Sequence, residues 1–197
     1  MKIAVIGAAG NLGNVVVREA RERGHEVTTL GRADVDATDA ASLKDAVYGH
    51  DAVVVAVKGP DRTVPRTAEA LLAALPAAGV ARLVFLGGGG SLLAPSGQRF
   101  VDSPAFPPQY LETALDQGAA LEILRAAQTD LHWSYVSPPP VHLVPGDKTG
   151  AYRAEASDTP LTDAAGECRI STGDYAAAVV DAVEQGTFPQ QRFTVAY

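Results

Sequence analysis

A chain of 197 residues with 47% hydrophobic residues holds enough apolar material for one domain core, and its formal net charge of -7 argues against a general affinity for nucleic acid or anionic membrane. Cys168 is the single cysteine, so no intrachain disulfide can form, which suits a reducing, cytoplasmic setting. No apolar stretch approaches the roughly 20 residues that span a bilayer, and the run at residues 3–6 is too short for a signal peptide.

Residues 3–6 are a continuous, β-branched run halted by Gly7, the pattern of a strand buried on both faces. Residues 11–23 carry Leu12, Val15, Val16 and Ala20 near helical spacing and stop at Gly24. A second strand is predicted over 27–30, ending at Gly31-Arg32, and a short third over 35–37. Asp39 can cap a helix over 40–48 that Gly49 ends. Residues 52–57 predict a fourth strand. A helix over 65–78 has Pro65 in its first turn, Pro76 disturbing its last, and Gly79 after it. Residues 83–86 predict a fifth strand running straight into Gly87, Gly88, Gly89 and Gly90. Residues 91–108, with four prolines, read as a long loop of the kind that forms a lid or substrate element. A long helix over 110–127, a strand over 132–136 stopped by Pro138-Pro139-Pro140, and a turn at 145–148 follow. Short strands near Tyr152 and Ile170, a helix over 174–184 and a final strand over 192–196 complete the chain.

Alternating strands and helices imply an α/β architecture: a doubly wound, mostly parallel sheet with helices on both faces. The whole chain reads as one such unit, with about 140–172 as a small C-terminal substrate region. Ligands of such sheets lie at the carboxyl ends of the strands, so the turns holding Gly7, Gly59 and Gly87 should line one edge.

Gly7-Ala8-Ala9-Gly10-Asn11-Leu12-Gly13 fits GxxGxxG at the passage from the first strand to the first helix. Gly7 can take the tight turn, Gly10 lets backbone approach a diphosphate, and Gly13 lets the helix lie close on the sheet. Free N–H groups at the helix start favour the phosphates. Together these define a Rossmann-type dinucleotide site. The second strand then ends in Gly31-Arg32, with no acid before Asp34. Arg32 can pair with a 2′-phosphate, which favours NADP(H). NAD(H) stays open, because Asp34 could swing in to hold a ribose hydroxyl.

Four stretches carry a family resemblance: residues 7–13, GAAGNLG; 35–39, VDATD; 82–92, RLVFLGGGGSL; and 133–153, WSYVSPPPVHLVPGDKTGAYR. The chain resembles the atypical, NAD(P)H-binding branch of the short-chain dehydrogenase/reductase superfamily, which includes biliverdin/flavin-reductase-like and NmrA-like proteins. Residues 169–176 also resemble the stretch before that branch's last helix. The resemblance implies that Asp36 contacts the adenine amino group beside the Ala37 backbone, and that Val57 and Lys58 flank the ribose. Gly87 and Gly88 would leave room for the nicotinamide ribose, Pro138 and Pro139 would pass its carboxamide, and Ser91 would be a hydroxyl near the ring. With Ala9, Asn11 and Leu12 of the opening loop, these make up the expected cofactor contacts, and Ser91 is the one catalytic candidate.

Standard members of that superfamily use YxxxK, in which the lysine lowers the pKa of a catalytic tyrosine. None of the six tyrosines here has Lys four positions on; Tyr110, near the expected place, is followed by Ala114. Carbonyl reduction needs a positioned proton donor. Hydride delivery to a flavin, quinone or tetrapyrrole needs less, because the product anion is delocalised. The first reading is therefore an NADPH-dependent reductase of such a small-molecule acceptor, held beneath residues 91–108 and 141–152 with Phe100, Phe106 and Tyr110 as aromatic surface. His142 in that region could donate a proton. The second reading is a non-catalytic, NmrA-like sensor of NADP(H) that signals through a protein partner. The four histidines have no ligand-like spacing, so no metal is expected. Assembly into an oligomer is left open.

Overall fold

The computed structural model describes residues 1–140 and 142–197, apart from the side chain of His142. Strands β1 (Lys2–Ile6), β2 (Glu26–Leu30), β3 (Ala52–Val55), β4 (Arg82–Leu86) and β5 (His132–Ser137) lie parallel. With β7 (Arg153–Ala156) and β9 (Gln191–Ala196) they form a seven-stranded sheet in the order β2-β1-β3-β4-β5-β9-β7, in which the β7–β9 pairing is antiparallel. The remaining strands, β6 (His142–Val144) and β8 (Arg169–Ser171), pair with each other.

Period-two alternation sends successive side chains to opposite faces and builds two cores. Ala4, Ile6, Val53, Val55, Leu83 and Phe85 face α2 (Ala40–Val47), α3 (Thr63–Ala77) and α4 (Leu111–Ala126). Ile3, Val5, Val54, Val84 and Leu86 face α1 (Asn11–Glu22) and α5 (Thr172–Gln185). Helices therefore cover both faces, as the alternation predicts. The caps follow their sequence signals: Asp39 accepts the Ser42 N–H at 2.7 Å, and Gly24, Gly49 and Gly79 take positive φ after their helices.

The third strand predicted at 35–37 does not form. Residues 31–39 spend their backbone groups locally: the Asp34 and Val35 amides donate to Gly31 O, and Asp39 N donates to Asp36 O. The Asp36 amide donates to Ser42 Oγ, so no ladder is available to this segment. Residues 52–55, expected as a fourth strand, are consequently β3.

Residues 91–108 are pinned down. Leu92 and Val101 are buried; Leu93 N donates to Asp158 O and Val101 N to Gly90 O, and Leu93 bridges Arg99. Short 3-10 turns occupy Phe100–Asp102 and Pro108–Tyr110. The C-terminal segment divides. Residues 153–156 join the main sheet as an edge strand, while the turn before them docks on α5, where Asp174 accepts the Thr149 and Gly150 amides at 2.9 and 2.8 Å. Lys148 reaches buried Glu19 of α1 at 2.8 Å.

Among the described residues one buried side-chain group is left over. Asp116 on α4 is 6% exposed, and its Oδ2 has no hydrogen-bond partner. A buried carboxylate oxygen without a partner destabilises the folded state. Asp116→Ala, which also improves helix propensity, is expected to stabilise by about 1 kcal/mol and raise the thermal midpoint by about 2–4 °C. Thermal unfolding followed by circular dichroism checks this; a lowered midpoint would show that the carboxylate is stabilising.

Candidate functional site

A cavity of about 1060 Å³ runs along the carboxyl edge of the parallel strands. That is the upper range for small-molecule sites, roughly 1,000 Å³. Its walls come from the turns after β1, β2, β3 and β4, from the first turns of α1 and α3, and from the first two turns of α4.

The opening turn is shaped by what a side chain would strike. Gly7 has φ +82°, and a Cβ there would stand 2.3 Å from Ala56 O. A Cβ on Gly13 would stand 2.3 Å from Gly7 O. Gly10 caps α1 without a side-chain hydrogen bond, and the first bond inside the helix is from Asn14 N to Gly10 O. The amides of Asn11, Leu12 and Gly13 are thus left with no acceptor in the helix. Gly10, Asn11 and Leu12 line the cavity, so the free amides of this helix start face it and suit an anionic group such as a diphosphate.

At the far end, Arg32, Asp36, Ala37, Thr38, Lys58 and Arg66 line the wall. Asp34, the acid that could have held a ribose hydroxyl, accepts the Gly31 amide at 2.8 Å and is not among the lining residues. Arg32 donates to Lys58 O at 3.4 Å, crossing from the β2 turn to the β3 turn. Arg66 donates to Thr38 Oγ1 at 3.3 Å, and Thr38 donates from both its amide and its hydroxyl to Asp36 Oδ1 at 2.8 Å. Those two bonds from Thr38 hold the Asp36 carboxyl below the usual carboxylate range.

At the near end stand Leu86, Gly87, Thr113 and Gln117. Gly87 has no room for a side chain, because a Cβ there would lie 1.9 Å from the ring of Tyr135. Tyr135 is fully buried and its phenol is pushed up by that burial; it accepts the Gly88 amide at 3.2 Å and donates to Gln117 O at 2.8 Å.

Of the residues expected from sequence, the cavity brings together Gly7, Ala9, Gly10, Asn11, Leu12, Arg32, Asp36, Ala37, Val57, Lys58 and Gly87. Gly13 and Gly88 lie behind its wall as packing residues. Pro138 is outside the lining, its carbonyl against Gly89. Phe100, Phe106 and Tyr110 are also outside it, and Tyr110 is 60% exposed. The side chain of His142 lies outside the described residues.

Ser91, expected near the reacting ring, is placed elsewhere. It is 9% exposed, its hydroxyl accepts from Arg192 Nη1 at 2.9 Å, and it lines a separate cavity of about 450 Å³. The chain turns down after Gly90 and carries Ser91 onto the β9 side of α4, where a Cβ on Gly118 would meet it at 3.4 Å. Around it, Asp158 Oδ1 accepts from Arg125 at 2.5 Å and Arg192 at 2.8 Å. Burial pushes Asp158 up, but the two guanidiniums outweigh it and hold the carboxyl below its usual range. Every charge in this cluster is answered within the protein, so it reads as a clamp between α4, β9 and the loop at 91–99.

Sequence reasoning missed Thr38, Arg66, Thr113 and Gln117. A signal existed for the last: α4 buries Asp116 and Gln117 among Ala114, Ala120, Leu121 and Leu124, and polar residues on a buried helix face mark a site or a network.

The glycine turn, the open helix start and the edge cavity define a Rossmann-type protein built to hold a nicotinamide dinucleotide. The chain belongs to the NAD(P)H-binding family, whose sequence profile matches residues 7–186. This agrees with the atypical dehydrogenase/reductase branch that the motifs resemble. An uncharacterized protein of Bacillus subtilis, YwnB, is 37% identical, with 99% of this chain and 98% of that protein covered. A crystal structure of a candidate exported protein from Burkholderia pseudomallei is 37% identical, with a TM-score of 0.88 and all of both chains covered. A candidate NADH-flavin reductase from Streptococcus pneumoniae is 32% identical, with a TM-score of 0.84, 100% of this chain and 99% of that chain covered.

Proposed function

We propose that the protein is a reductase that uses NADPH in preference to NADH and passes a hydride to a planar, delocalised acceptor of flavin, quinone or tetrapyrrole type. One observation carries this reading. At the Leu86–Gly87 end of the cavity the polar side chains are Thr113 and Gln117, neither of which titrates near neutral pH, and no tyrosine lines the cavity among the described residues. A site so furnished orients its reactants and leaves proton supply to solvent.

Bound there, a reduced nicotinamide supplies the hydride, and water supplies the matching proton. The α1 amides hold the diphosphate, and Gly10 keeps the approach clear. Arg32 answers the 2′-phosphate while Asp34 stays engaged with Gly31. Asp36, fixed by Thr38, presents its remaining oxygen to the adenine amino group. The name given to the Streptococcus pneumoniae relative supports a flavin acceptor, though that name carries NADH.

The test is steady-state oxidation of NADPH, followed by absorbance, with FMN, riboflavin and a naphthoquinone as acceptors. Turnover with at least one of them, faster with NADPH than NADH, is the expected result. Tight NADPH binding with no turnover of any acceptor overturns the reading and favours a sensor.

A further inference from the structure

Helix α4 puts two side chains into the cofactor cavity, Thr113 and Gln117, four residues apart and therefore on one face. They differ in what holds them. Gln117 is 8% exposed; its side-chain Nε2 donates to Val57 O at 3.4 Å, and its backbone carbonyl accepts the Tyr135 hydroxyl at 2.8 Å. A Cβ on Gly88 would stand 3.3 Å from Gln117 Cβ, so the side chain is wedged against the end of β4. Thr113 is exposed, and its hydroxyl is bonded to no other described group.

Their heights above the sheet differ too. Strands β4 and β5 are parallel, so the helix joining them runs back antiparallel to both. Thr113, nearer the start of α4, therefore stands about one turn further out from the carboxyl edge than Gln117. Gln117 sits level with the Gly87–Gly88 turn, and Thr113 stands above it on the cavity wall.

We propose that Thr113 is the acceptor-binding hydroxyl of this protein. Its Oγ1 donates to a carbonyl oxygen or ring nitrogen of a planar, electron-poor acceptor such as an isoalloxazine or a quinone. The proposal rests on the reductase reading above and assigns its substrate side. A hydroxyl performs this task without titrating: it fixes the orientation of the acceptor and stabilises charge gathering on the bonded heteroatom. Gln117 is not free to donate in the same way, because it is buried and its Nε2 is already turned to Val57 O of the β3 turn.

Two readouts separate the proposal from the reading it rests on. One is the KM for FMN or naphthoquinone at saturating NADPH. The other is the dissociation constant of riboflavin, from quenching of its fluorescence by protein saturated with NADP+, which needs no turnover. Thr113→Val keeps the shape and loses the hydroxyl; both constants are expected to rise by about five- to tenfold, the scale of one net hydrogen bond. Thr113→Ser is expected to restore both, and the NADPH dissociation constant from calorimetry is expected to be the same in all three proteins. Unchanged acceptor constants in Thr113→Val, beside an active parent protein, overturn the proposal. An equal loss of NADPH affinity also overturns it, by moving the hydroxyl to the cofactor. A parent protein without turnover, whose riboflavin affinity still falls on Thr113→Val, sinks the reductase reading and upholds Thr113 as a ring-binding group.

Discussion

Gly13→Ala is expected to lose roughly 3 kcal/mol of stability and, with it, measurable dinucleotide binding. The added Cβ would stand 2.3 Å from Gly7 O, 2.9 Å from Gly7 C and 3.0 Å from Ala8 Cα. All three are backbone atoms, so no rotamer change relieves the contact. Helix α1 would have to lift off the turn, and the amides of its first turn would leave the cavity edge. At this chain length such a loss lowers the thermal midpoint by about 6–12 °C. Two comparisons isolate the cause. Gly24→Ala has a similar chemical change at φ +83° with nothing within 4 Å, so it carries the left-handed penalty alone, about 1 kcal/mol, and should keep full cofactor affinity. A Cβ on Gly10 would stand 3.3 Å from Gly7 O, on the cavity wall. Gly10→Ala should therefore fold nearly normally yet bind NADPH poorly. If Gly10→Ala binds as well as the parent protein, the diphosphate does not lie over this turn.

Arg32→Ala is expected to weaken NADPH binding about 50-fold while leaving NADH within about twofold, the scale of a charge-assisted, bidentate contact. The contrast follows from where the nearby carboxylates are. Asp34 is held by the Gly31 amide, and Asp36 by Thr38, so neither is placed to select a ribose hydroxyl in place of a phosphate. Among the described residues the Arg32 guanidinium has one long bond, to Lys58 O, which a phosphate can displace at little cost. Calorimetry with NADP+, NADPH, NAD+ and NADH gives the answer directly. Equal weakening of all four removes the 2′-phosphate role. Loss of discrimination in Arg66→Ala but not in Arg32→Ala would transfer it to α3, where Arg66 stands beside Thr38.

Much of this protein was readable before any fold was known, where the signal was local. Gly7 and Gly10 sit at the end of a buried β-branched run and at a helix start, a pattern carried by neighbouring residues, although the contact that bars a side chain at Gly7 is with distant Ala56 O. The caps at Asp39 and Gly79 were legible for the same reason. The third strand at 35–37 was misread because hydrophobicity does not reveal that Ser42, Gly31 and Asp36 claim the backbone groups a ladder would need. Ser91 was misplaced because one further turn after Gly90 exchanges one cavity for another.

By itself, then, the amino-acid order determined the strand–helix alternation, the glycine turn that opens α1 and the absence of a YxxxK motif, since each depends on neighbours within a few positions. Tertiary structure alone decided which long-range partners meet: Ser91 with Arg192, Gly87 over Tyr135, and Thr113 with Gln117 facing a turn 60 residues earlier in the chain than Gln117. The reason is that a side chain's surroundings are set by how its helix or strand packs on the sheet, and that packing is a sum over both cores that no local window contains.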